Sequence, residues 1–140
     1  MGIETPFRAP FGIQARAVNY PDSATITPNA NTSDICVVTA LSQASAIANP
    51  VVTTPYDGQL LQLRITSIVS RAISFGTAYQ GASSLGLPSS TTGSSAEDYI
   101  AFRYNSIDLK WDLIGTTIGA TVSGISATEA IAYAISFGGM

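Results

Sequence analysis

Short runs of alternating hydrophobic and polar residues, separated by turn-forming residues, predict β-strands over most of this chain. In the run 59–66, Leu61, Leu63 and Ile65 share one face of a strand. Other strands are predicted at 13–20, 24–27, 35–41, 51–54 and 71–75, with a short one ending at Tyr79. Residues 42–48 fit either a helical turn or an extended stretch. Together with a hairpin and a terminal strand near the end of the chain, the pattern predicts about eight to ten strands and no convincing helix.

The clearest local element is a hairpin over residues 99–115. Residues 99–104 alternate, 105–108 have turn chemistry, and 109–115 alternate back. Leu109, Trp111 and Leu113 are predicted to share one face, with Lys110 and Asp112 on the other. Large aromatic side chains at alternating positions are typical of a core or an interface. The anchors predicted in this way are Phe102, Tyr104 and Trp111.

The first twelve residues favour an extended arm. Pro6 and Pro10 exclude a helix and disfavour a central strand. Phe7 and Phe11 lie four residues apart in this segment, and a free tail does not need two large apolar groups. We therefore expect the two phenylalanines to contact a neighbouring subunit, the alternative being a frayed tail.

The chain ends in a second segment with strict period two. Over residues 130–137 large side chains alternate with Ala and Ser, which predicts a strand that pairs with a sheet edge, its own or a neighbour's. The large residues predicted to make contact there are Ile131, Tyr133, Ile135 and Phe137. The predicted organisation is an arm and first strand over 1–25, a core over 26–115 and a terminal strand or arm over 116–140. The predicted fold is all-β, an antiparallel, jelly-roll-like sandwich or barrel with extended arms.

Charge is scarce in this sequence. The 140 residues carry nine acids and six bases, a net charge of -3, and only 11% are charged. An average domain has about 25%. A length of 140 residues is that of a single domain. The low charge favours a surface much of which is covered by other protein, the alternative being a monomer coated with Ser and Thr.

Composition also excludes several kinds of chemistry. Histidine is absent, so no His-based triad or His-ligated metal is possible, and the single Cys36 is interpreted as a small core residue. The few scattered cations argue against nucleic-acid binding. No apolar run is long enough to span a membrane. No signal peptide is visible at the N-terminus. We expect no metal and no cofactor.

Acidic pairs and exposed aromatics are the remaining candidates for a site. Paired carboxylates can hydrolyse glycosides, but each pair falls at a turn or strand position with a simpler structural role, so no enzyme is expected. The pairs are Glu97 with Asp98, Asp108 with Asp112, and Asp22 with Asp57. Aromatic residues could form a sugar platform, although at alternating strand positions they are more often core; these are Tyr56, Tyr79, Tyr99, Tyr104 and Trp111.

Several motifs in order along residues 26–115 resemble a small all-β domain of tailed-bacteriophage virion proteins. The motifs are ITPNANTSDICVVTAL, TTPYDGQLLQLRI, RAISFGTAYQG, then LP followed by YIAFRYNSIDLKWDLIG. Each is short, so their joint order carries the specificity. The chain departs from the pattern at Thr53 and Thr54, where a glycine is expected near the turn.

This resemblance implies a non-enzymatic, homotrimeric structural subunit. A short subunit without a shaft fits a capsid cement or decoration protein that binds the outside of the head and bridges major capsid subunits. It would be made in the host cytoplasm and end on the virion surface. The alternative is a tail-fibre or head-fibre domain that binds host surface glycan.

Overall fold

The structure, a computed structural model, describes residues 14–82 and 84–119. These residues form nine β-strands and no helix. The strands are β1 (Ala17–Asn19), β2 (Thr25–Ile26), β3 (Ile35–Val38), β4 (Ser45–Ile47), β5 (Leu60–Thr66), β6 (Ile73–Phe75), β7 (Tyr79–Gln80), β8 (Glu97–Asn105) and β9 (Lys110–Thr116). The described part of the chain is therefore β-rich, as predicted.

The strands belong to two sheets. One has six strands in the order β1-β3-β5-β8-β9-β7, and the other has three in the order β2-β4-β6. Strand β8 is antiparallel to both of its neighbours, whereas the other pairs of named strands are parallel. The prediction of an antiparallel fold is therefore wrong for all but the β5–β8–β9 part.

The parallel pairs arise because the chain winds from one sheet to the other. β1, β3 and β5 lie side by side in the large sheet, and β2, β4 and β6, which follow them in sequence, lie side by side in the small one. From β1 to β6, strands adjacent in sequence therefore belong to different sheets and do not pair with each other. Alternation identifies the two faces of a strand but carries no information about the direction of its partner, which is why the sequence did not reveal the winding.

Both sheets contribute to one hydrophobic core. Ile26, Ile47 and Ile73 come from the small sheet, and alternate residues of β3, β5, β8 and β9 come from the large one. An aromatic cluster joins the two: the Phe75 ring on β6 lies 5.7 Å from that of Phe102 on β8, centroid to centroid. The core is therefore continuous across both sheets.

The segments between the long strands agree with the sequence-based predictions in some places and not in others. Residues 42–48 contain β4, which decides for the extended alternative. Residues 51–54 form no strand and contribute only a bridge from Val51 to Asn29. In the segment after β7, Leu85 and Leu87 pack against the core. No helix in the described residues could cross a membrane.

Candidate interaction surface

The turn between β8 and β9 presents apolar side chains to solvent. Asn105 Oδ1 accepts hydrogen bonds from the backbone N–H groups of Ile107 (2.9 Å) and Asp108 (3.2 Å), which fixes the turn. Ile107 is 90% exposed and Leu109 is 68% exposed. Two large aliphatic groups therefore project from a rigid turn.

Leu109 is in an unusual backbone conformation. Its φ is +58°, in the left-handed region that favours Gly or Asn and costs a bulky L-residue roughly 1–2 kcal/mol. The prediction that Leu109 shares the face of Trp111 and Leu113 is wrong, because Leu109 lies in the turn and β9 begins at Lys110. A strained, exposed leucine has no evident role in folding, so a contact role must be considered.

The loop before β5 packs beside this turn. Asp57 Oδ1 accepts hydrogen bonds from the backbone N–H (3.0 Å) and hydroxyl (3.2 Å) of Ser106, and Gly58 donates its N–H to the carbonyl of Tyr104 (2.8 Å). These bonds hold the exposed Tyr56 and Leu60 at the same end of the sheet. We call this set the tip surface; its members are Tyr56, Leu60, Ile107 and Leu109.

An ion pair lies at the same end of the large sheet. Arg16 donates from Nε (3.0 Å) and Nη2 (2.9 Å) to the two carboxylate oxygens of Asp34, and from Nη1 to the carbonyl of Asn31. The hydrogen bonds from the Arg16 side chain lower the pKa of Asp34, and the same carboxylate raises the pKa of Arg16. This pair ties the start of β1 to the loop before β3.

The carboxylates of Asp108 and Asp112 are brought together next to the turn between β8 and β9. Gln80 donates its amide to Asp108 (3.0 Å) and Asp112 (2.6 Å), and Asn105 donates to the same two side chains. The amides therefore satisfy both acids of this predicted pair. Residues 14–82 and 84–119 contain no group of three or more acidic, Cys or His side chains suited to a metal ion.

The other carboxylate pairs do not form sites. Glu97 is exposed, whereas the neighbouring Asp98 is only 2% exposed and accepts hydrogen bonds from the N–H and hydroxyl of Thr92 (2.8 and 2.6 Å). Asp22 binds Ser42 and Asp57 binds Ser106, in separate loops. The pKa of Asp22 is lowered, first by the Ser42 hydroxyl.

Sequence reasoning missed the burial of Asp98, although the signal was present. Asp98 has the same parity along β8 as Ile100, Phe102 and Tyr104, the residues that face the core. Extending the alternation by one step would have placed this carboxylate inside the protein.

The predicted anchors of the hairpin are buried. Phe102, Tyr104 and Trp111 all lie in the core, where the Tyr104 and Trp111 rings meet edge to face with centroids 5.1 Å apart. Tyr79 is also buried, so of the proposed sugar platform only Tyr56 is well exposed and Tyr99 is half-buried. The predicted contact residues Phe7, Phe11, Ile131, Tyr133, Ile135 and Phe137 lie outside the described residues.

Cys36 lies in the core beside the Ser33 hydroxyl, and burial raises the pKa of its thiol. A raised pKa disfavours the nucleophilic thiolate.

Comparisons of the chain with protein-family models, curated proteins and solved structures find no match.

Proposed function

We propose that this chain is a structural protein of a tailed-bacteriophage virion. The most specific form of the proposal is a capsid cement or decoration protein that binds the outside of the head as a homotrimer. It would stabilise contacts between major capsid subunits and perform no catalysis. The proposal combines the resemblance of residues 26–115 with the low charge of the chain.

The observation that carries the proposal is the tip surface. Exposed apolar side chains on a rigid turn are typical of protein contacts, and Leu109 occupies a backbone position where a polar Asn or a Gly would be easier to accommodate. Because the tip projects from one end of the sheet, we assign it to the contact with the capsid shell. Because each trimer would make several such contacts with the shell at once, contacts that are weak singly would together give firm attachment.

The finer architecture belongs to the same proposal. We infer that the two sheets stack as a small sandwich, since buried residues of both meet in one core. Such a rigid body would hold the tip surface at a fixed angle to the shell.

The test is binding to undecorated capsids. Purified shells are incubated with the full chain, sedimented, and assayed for the bound protein. We expect saturable binding, which the double substitution Ile107→Ser with Leu109→Ser weakens at least tenfold. The matched control is Ile68→Ser with Val69→Ser, which removes two exposed aliphatic side chains from the loop after β5. If the control weakens binding as much as the tip variant, or if the unaltered chain ignores shells, the proposal is wrong.

A second candidate function is a fibre domain that binds host glycan. It is favoured by the exposed ring of Tyr56, since sugar rings stack on exposed aromatic faces. Glycan-array binding that is lost in Tyr56→Ala, together with indifference to capsids, would favour this alternative.

A further inference from the structure

Strand β1 leaves one side of the large sheet open. Arg16 O accepts from Ile35 N, and Tyr20 N donates to Val37 O, so the even-numbered residues 16, 18 and 20 direct their backbone groups toward β3. In a parallel ladder the intervening residues face the opposite way. The N–H and C=O groups of Ala17 and Asn19 therefore point to the free edge, where no described residue bonds to them.

On each of the other sheet edges at least one outward N–H has a local partner. On β2, the outward N–H of Thr25 donates to Ser23 Oγ (3.2 Å). Beside β6, Ile73 donates to Ser89 O and Thr91 donates to Arg71 O, so residues 89–91 cover that edge. On β7, Tyr79 N donates to Gly76 O (3.2 Å). Within the described residues, β1 is thus the edge on which neither outward N–H has a partner, and it is the one most open to a further strand.

β1 also lacks the devices that normally protect an edge from pairing. Its three residues are uncharged and contain no proline, whereas natural edges are commonly guarded by Lys, Pro or a bulge. Arg16 is the adjacent cation, but its guanidinium is paired with the Asp34 carboxylate and is not a free charge at this edge. Val18 continues the row of core-facing residues Cys36 and Leu63, yet it is 37% exposed.

The sequence contains a segment suited to this edge. Residues 130–137 alternate large apolar with small side chains and carry no charge. We propose that residues 130–137 of a second copy of the chain add a strand to the open edge of β1. The large side chains would cover Val18 and the exposed end of the core, and the small ones would lie along Ala17 and Asn19.

The choice of a second copy rests on the proposed homotrimer. Pairing of β1 with another β1 would join identical surfaces and give a two-fold dimer. A three-fold ring needs a contact between two different surfaces of the chain, and a tail on one copy with an edge on the next supplies them. The shell contact and the trimer contact would then use separate parts of the molecule.

Two variants and a matched control test the contact in the full chain. Asn19→Pro removes one outward N–H without touching a bond to β3, and truncation after residue 129 removes the tail. We expect light scattering to show three chains for the unaltered protein and one chain for each variant. Asn19→Ala keeps the N–H and should remain trimeric. A truncated protein that stays trimeric would overturn the inference while leaving the trimer and the proposed function in place.

Mixing the two variants gives the sharper test. The Asn19→Pro chain has a tail but no usable edge, and the truncated chain has an edge but no tail. Together they can form one contact, so we expect a one-to-one heterodimer, although neither associates alone. Circular dichroism establishes that each variant is folded. Two folded variants that fail to pair would show that tail and edge do not meet between copies. An unaltered chain that is monomeric and ignores shells would instead defeat the proposed function itself.

Discussion

The wound part of the molecule, β1 to β6, and the hairpin, β8 and β9, are stabilised in different ways. The hairpin strands are nine and seven residues long, follow each other in sequence and pair antiparallel. Alternate residues of both strands bury large side chains in the core. Strands β1 to β4 have only two to four residues each. Each of these four strands contributes at most two side chains to the core, whereas β5 in the same part of the molecule contributes Leu61, Leu63 and Ile65. We therefore expect β1 to β4 to depend more on polar side chains in their loops.

Tyr20 shows how these loops are held. Its hydroxyl accepts a hydrogen bond from the N–H of Asn29 (2.8 Å) and shares another with Ser33 Oγ (2.7 Å), which in turn donates to the carbonyl of Asn29. One phenol thereby joins the end of β1 to the turn before β3. We therefore expect loss of a hydroxyl that bridges loops in the wound part to cost more stability than loss of an exposed hydroxyl in the hairpin.

The largest expected effect is in the hairpin. Trp111→Ala empties a fully buried site against Tyr104 and should lower the free energy of unfolding by about 3–5 kcal/mol, measured by urea denaturation. Tyr56→Ala removes a comparable aromatic group from an exposed loop and should change it by less than about 0.5 kcal/mol. Similar losses in both variants would contradict the assignment of Trp111 to the core.

The next effect distinguishes the wound part. Tyr20→Phe keeps the ring and removes only the hydroxyl, leaving the Asn29 N–H without its partner, and should cost about 1–3 kcal/mol. The matched control is Tyr99→Phe, whose hydroxyl bonds the exposed Glu97 (3.2 Å) and should matter little. Equal effects on the urea midpoint would remove the contrast between the two parts.

The same contrast explains what could be predicted from the sequence. The hairpin was predicted with its turn because pairing between adjacent segments is set by local turn chemistry and alternation. The partners of β1 and β3 could not be predicted, since Ala17 meets Ile35 and Ile35 meets Gln62 through connections that cross the other sheet. Most of the strands were predicted, although residues 51–54 form none and the segment of β4 was left open, whereas the order and direction of the strands depend on contacts between distant segments.

The tip surface was also only partly predictable. The turn at residues 105–108 was expected, but the left-handed backbone of Leu109 was not, because its alternation with Trp111 indicated a strand position. The exposed loop of Tyr56 was brought beside this turn by Asp57 and Ser106, which are distant in sequence. No local pattern reports such a contact.

A smaller effect concerns the pH dependence of the wound part. The pKa of Asp34 is lowered in the folded state by Arg16, so the pair stabilises the fold above the unfolded pKa of about 3.9. That stabilisation is lost as the pH falls through the folded pKa. Asp34→Asn should therefore cost up to about 1 kcal/mol at neutral pH, the pair being partly exposed, and flatten the loss of stability on acidification. High salt should reduce the difference in stability between Asp34→Asn and the unaltered protein. If both proteins lost stability equally on acidification, the stabilising role of the Arg16–Asp34 pair would be contradicted.

The smallest effect returns to the hairpin and has the opposite sign. Leu109→Asn places a residue that tolerates positive φ at +58° and removes little buried surface, so the free energy of unfolding should rise by about 0.5–1 kcal/mol. Ile107→Asn also removes an exposed aliphatic group, but at a residue without positive φ, and should not stabilise the protein. Both variants should bind capsid shells less well than the unaltered chain. A leucine that weakens the fold but strengthens attachment would be explained by selection for contact. If Leu109→Asn instead destabilised the hairpin, the exposed leucine would have a folding role, and the tip surface would lose the observation that supports it.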